Sequence, residues 1–139
     1  MLKSGDRVEL VADLGGGKTT LVRGLARGAG SKDAVASPTF TLNKIYKAKN
    51  LEIHHFDFYR LSEPGIIADQ LRESLQSPKV VVVVEWGQIV ADVLPEDSLV
   101  IKLEAIADNP DERIITVQYD HSKTKLIKQL ETAWVGTKP

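Results

Sequence analysis

Apolar positions recur along this chain at two periods, and the switches between them predict strands alternating with helices. Arg7 to Ala12 reads as a strand, followed by a glycine-rich turn and a helix from Lys18 to about Ala29. In that helix Leu21, Val22, Leu25, Ala26 and Ala29 form one apolar stripe, while Arg23 and Arg27 share the other face. Gly28 and Gly30 supply its stop. Two strand-like segments follow, Thr39 to Tyr46 and Leu51 to Tyr59, separated by the polar turn Lys47 to Asn50. Pro64 opens a short helix carrying Ile67, Leu71 and Leu75, and Pro78 lies beyond its end. Lys79 to Glu85 contains an unbroken run of valines, the pattern of a strand buried on both faces. After Pro95, Ser98 to Glu104 and Arg113 to Tyr119 read as two more strands. A last helix is expected from near Ser122, carrying Leu126, Ile127, Leu130, Ala133 and Trp134. Lys123, Lys125 and Lys128 read as its solvated face. Alternation of this kind predicts an α/β sandwich, and the hairpin-like pairs predict a mixed sheet.

Composition narrows the chemistry. The 139 residues carry 42% apolar and 27% charged positions, an ordinary globular balance, and no linker or repeat divides them. One domain spanning 1–139 is expected, since a chain of this size buries roughly 70% of its unfolded surface. With no cysteine, disulfide frameworks, zinc-thiolate sites and cysteine nucleophiles are excluded. A formal charge of -1 with dispersed lysine and arginine does not make the concentrated basic surface that tight nucleic-acid binding needs. The N-terminal MLKSGDRVEL lacks a signal-peptide core, and the run Val80 to Val84 is too short for a bilayer. No membrane association and a cytoplasmic location are expected.

The strongest motif is ADLGGGKTT, Ala12 to Thr20, between a predicted strand and a predicted helix. It matches the phosphate-loop pattern G-x-x-x-x-G-K-[ST] at Gly17, Lys18 and Thr19, with Ala12 in place of the first glycine. Glycines let the backbone curl so that successive N–H groups point at phosphate oxygens, and the helix N-terminus adds its positive end. Lys18 would then reach the β and γ phosphates, and the Thr19 hydroxyl would ligate magnesium. The nucleotide-binding set expected here is Leu14, Gly15, Gly16, Gly17, Lys18, Thr19 and Thr20. With this loop, the fold class becomes a P-loop NTPase-like three-layer sandwich with a mixed, mainly parallel central sheet and antiparallel edge strands.

A second polar focus lies further along. Period-two alternation over Ile53 to Tyr59 puts His55, Asp57 and Tyr59 on one face and His54, Phe56 and Phe58 on the other. Glu85 closes the valine strand, and a carboxylate there is costly to bury unless it is paired or used. Strand carboxyl ends in an α/β sheet border the ligand crevice, where Glu85 and the Ala12–Thr19 loop both emerge.

Four segments in this order, DLGGGKTTLVRGL, SPTFTL, HFDFYRL and VVEWG, resemble the TsaE family over about Leu2 to Val117. Those are small ATPases that act with TsaB and TsaD to install threonylcarbamoyladenosine on tRNA. The resemblance implies ATP and Mg2+ as cofactors, TsaB and TsaD as partners, and tRNA contacted only through the complex. It implies that Lys18 and Thr19 hold phosphate and magnesium, and that Thr39 lies in a switch-like segment near the γ-phosphate. Asp57 would contact magnesium, and Glu85 would orient or deprotonate the attacking water. Trp86 would lie close to the nucleotide. The catalytic pair is therefore Glu85 and Lys18, and the metal set is Thr19, Asp57 and Glu85. Gly87 departs from the family, which commonly has proline there, and His55 is expected to support the site rather than react.

Competing readings stay open. A small-molecule kinase would usually bring an arginine-bearing lid, and no arginine-rich insert is visible. A guanine-nucleotide switch would want N-K-x-D, but Asn43-Lys44-Ile45 is followed by Tyr46. A non-hydrolysing nucleotide-binding adaptor differs from an ATPase only in whether Glu85 works.

Overall fold

The structure, a computed structural model, describes residues 2–13, 15–36, 38, 42–59, 61–63 and 65–134. Six strands form one sheet in the order β2-β3-β4-β1-β5-β6. They are β1 (Arg7–Val11), β2 (Asn43–Lys47), β3 (Glu52–Asp57), β4 (Val80–Glu85), β5 (Leu99–Ile106) and β6 (Asn109–Gln118). The three inner pairings are parallel, and the outer pairings β2–β3 and β5–β6 are antiparallel. The expected mixed sheet with antiparallel edges is what forms.

Helices cover both faces. α1 (Lys18–Gly28) and α3 (Thr124–Ala133) lie on one side, where Val22, Ala26 and Ile127 pack with Val8, Leu10, Ile53, Val81 and Val83. α2 (Gly65–Gln76) lies on the other, where Ala68 and Leu71 meet Phe56, Phe58, Val80, Val82 and Val84. β4 is buried at every position because both faces are covered. Each of its valines contributes roughly 1.5 kcal/mol or more by leaving water, which makes this strand the axis of the sandwich. Among the described residues no helix is long and apolar enough to cross a membrane.

Several details differ from the sequence expectation, among them β6, which starts at Asn109 rather than Arg113. β2 begins at Asn43, after Leu42 in the left-handed region (φ 64), rather than at Thr39, and Thr39 lies outside the described residues. β3 stops at Asp57 rather than Tyr59, because the Asp57 carboxylate accepts the Tyr59 N–H at 2.9 Å and folds the chain into an Asx-type turn. Tyr59 thereby leaves the face of His55 and Asp57. Lys123 belongs to a 3-10 turn, His121–Lys123, ahead of α3. Its ammonium is held by the shielded Asp6 carboxylate at 2.6 Å, so it ties the helix entry to the start of β1 instead of standing in solvent.

Candidate functional site

The loop after β1 is built by its glycines. Gly15 and Gly17 have φ 75 and 99, backbone that a side chain would strain. At Gly16 an added Cβ would come within 2.8 Å of both the Ala12 Cβ and the Asp13 carbonyl oxygen. The Ala12 methyl, the departure from the motif, is therefore accommodated by the bareness of Gly16. Gly17 caps α1, which begins with Lys18, Thr19 and Thr20. Lys18 is buried, Thr19 is half-buried and Thr20 is exposed.

Lys18 reaches back across the turn. Its Nζ donates to the Ala12 carbonyl at 2.9 Å and to the Asp13 carbonyl at 3.4 Å. The same ammonium lies 5.0 Å from the Trp86 ring centroid, a cation–π contact that joins the loop to the end of β4. Trp86 has φ 56, an unusual conformation for a bulky residue, and its ring also meets Tyr59 at 5.0 Å.

β3 and β4 bring the acids in. Asp57 and Glu85 are register partners on neighbouring parallel strands, and Glu85 is also aligned with Leu10 of β1, two residues before Ala12. Their positions share the α1 face with Ile53, Val81 and Val83. Both are 2% exposed. Glu85 Oε1 accepts from His55 Nε2 at 3.0 Å, with His55 fully buried, and Tyr46 packs its ring 6.2 Å from the imidazole. Burial raises the Tyr46 phenol, the Glu85 charge adds to this, and the hydroxyl donates to the Ala36 carbonyl at 2.8 Å. That bond anchors the chain just before Ser37-Pro38-Thr39-Phe40.

The structure thus gathers Gly15, Gly16, Gly17, Lys18, Thr19, Asp57, Glu85 and Trp86 around the carboxyl ends of β1, β3 and β4. Leu14 and Thr39, expected beside them, lie outside the described residues. No group of three or more His, Cys, Asp or Glu converges among the described residues. Two carboxylates and a hydroxyl are nonetheless an all-oxygen set suited to magnesium, which keeps waters and phosphate oxygens as its other ligands. One contact had no sequence signal. Arg113 of β6 donates its Nε to the Gly16 carbonyl at 3.3 Å across 97 residues, bracing the loop from the sheet's far edge. At Gly87, a Cβ would stand 3.1 Å from Leu94 and Val84 side-chain atoms and 3.2 Å from Glu9 Oε1.

The sheet order, the two helical layers and the glycine loop leading from β1 into α1 define a P-loop NTPase-like α/β sandwich. The family model described as "Threonylcarbamoyl adenosine biosynthesis protein TsaE" matches residues 1–115. This chain belongs to the TsaE family. It is 39% identical over 121 residues to the tRNA threonylcarbamoyladenosine biosynthesis protein TsaE of Streptomyces coelicolor, covering 84% of this chain and 82% of that one. It is 38% identical over 114 residues to the TsaE protein of Bacillus subtilis, covering 82% and 70% respectively. The crystal structure of Bacillus subtilis YdiB superposes with a TM-score of 0.76 at 32% identity, covering 95% of this chain and 80% of that one.

Proposed function

We propose that this protein binds MgATP on the Ala12–Thr19 loop and hydrolyses it in support of threonylcarbamoyladenosine formation on tRNA, together with TsaB and TsaD proteins. Family membership supports the pathway. The observation that carries the chemistry is the buried Glu85 carboxylate, in register with Asp57 and one residue from the Trp86 ring that covers Lys18.

Backbone N–H groups of Gly15 to Thr19 would receive phosphate oxygens, and the Lys18 ammonium would exchange its carbonyl partners for them. Thr19, Asp57 and Glu85 would hold Mg2+ directly or through water, and the ion when bound neutralises charge building on the phosphates. Glu85, with only one oxygen engaged by His55, would use the other to orient the attacking water and take its proton. Adenine is the expected base, because the guanine-reading N-K-x-D pattern is missing.

The test is ATP turnover by wild type and Glu85→Gln, each alone and mixed with TsaB and TsaD. A general base typically contributes ~100- to ~10,000-fold, so Glu85→Gln should lose turnover on that scale while retaining ATP affinity. Full turnover by Glu85→Gln in the mixture would leave Glu85 a structural carboxylate and the protein's chemistry elsewhere.

A further inference from the structure

We propose that His55 is a positioning residue for Glu85, fixing the carboxylate so that one oxygen faces the reacting water. This rests on the reading of Glu85 as the water-orienting group.

The geometry is specific. His55 sits on β3 opposite Val83, and its ring reaches diagonally along the sheet to Glu85 at the end of β4. The side chains are 0% and 3% exposed, so water does not compete for the 3.0 Å bond between them. A carboxylate has only acceptors, hence Nε2 carries the hydrogen and donates to Oε1. Among the described residues His55 is the one hydrogen-bond donor to this carboxylate, and Oε2 receives none. A glutamate has three side-chain torsions, and one bond from a rigid ring on a neighbouring strand removes most of that freedom.

The other ring nitrogen argues that this is more than packing. His55 Nδ1 is buried and, among the described residues, has no hydrogen-bond partner. An orphaned polar atom in a dry interior is unfavourable, and a phenylalanine or leucine would fill the space between Tyr46 and β4 without it. What an apolar residue would lack is the Nε2 donor.

The experiment measures kcat and KM for ATP in the full chain mixed with TsaB and TsaD. His55→Phe keeps the bulk and loses the donor. It should lower kcat by roughly 10- to 100-fold, the scale of a misplaced reacting group, with KM and calorimetric ATP affinity within about twofold of wild type. His55→Gln puts an amide N–H near the Nε2 position and should recover most of kcat. His55→Asn places its amide near Nδ1 and should not. Since only the two amides are compared, the Gln–Asn contrast survives even where Phe disturbs folding. Equal kcat for Gln and Asn, or wild-type kcat for Phe, overturns the proposal. Glu85→Gln run in parallel separates the two readings. If Glu85→Gln is inactive while the Phe and Asn variants match wild type, only the role of His55 falls. If Glu85→Gln is fully active, the reading of Glu85 itself has failed.

Discussion

The Lys18 ammonium stands 5.0 Å from the centre of the Trp86 ring while donating to the Ala12 carbonyl at 2.9 Å. One side chain therefore links the end of β1, the first turn of α1 and the end of β4. Among the described residues its charge is satisfied by two carbonyl dipoles and a π face rather than by a carboxylate. These are weaker partners than a phosphate, so an arriving anion gains more from Lys18 than the loop loses.

Lys18→Ala is accordingly expected to weaken MgATP binding about 100-fold or more, equivalent to about 2.8 kcal/mol. Isothermal calorimetry on folded variant and wild type checks this. Equal affinities would remove the loop from nucleotide binding.

Trp86 should report on the same event. The chain has two tryptophans, and Trp134 is 42% exposed at the end of α3, so Trp134→Phe leaves Trp86 as the single indole. Titrating MgATP into that variant should change the emission as Lys18 is drawn from the ring. A spectrum unchanged at saturation would place Trp86 outside the nucleotide's reach.

Asp57→Asn separates charge from fold. The Asn oxygen can still accept the Tyr59 N–H that ends β3, so the turn itself should be retained. Loss of the negative charge should raise the magnesium concentration needed for half-maximal turnover by roughly tenfold, about 1.4 kcal/mol. An unaltered magnesium dependence would remove Asp57 from the metal set.

Glu9 makes a prediction about pH. Burial raises its carboxyl above 4.5, so the folded state holds that proton more tightly than the unfolded chain does. The folded state then binds more protons in the window above 4.5, and stability is lost as pH climbs through it. Glu9→Gln should flatten this dependence and raise the neutral-pH stability by less than about 1 kcal/mol, since partial solvent exposure screens the charge. Chemical denaturation at pH 5 and pH 7.5 is the measurement. A variant less stable than wild type at pH 7.5 would show that the carboxylate has a favourable partner there.

Much was legible from local pattern. The valine run became a strand buried at all positions, and the stripe of α1 buried Val22 and Ala26 as its period required. The glycine turn ending in Gly17, Lys18 and Thr19 came out between β1 and α1, because positive φ and a helix start are encoded within a few residues. These are short-range physics, and a linear reading can capture them.

Side-chain pairing across strands was not legible. His55 and Glu85 are 30 residues apart, and they meet only because β3 lies parallel to β4 with Asp57 level with Glu85. Insertion of β1 between β4 and β5 sets the loop beside those acids, and no local period states that order. Arg113 reaches Gly16, and Lys123 reaches Asp6, for the same reason. Residue type and spacing determine which groups a chain carries and what each element prefers. Which of them share a dry, low-dielectric space is decided by the register of distant strands, and in this protein that register sets Glu85 level with Asp57 and within reach of His55.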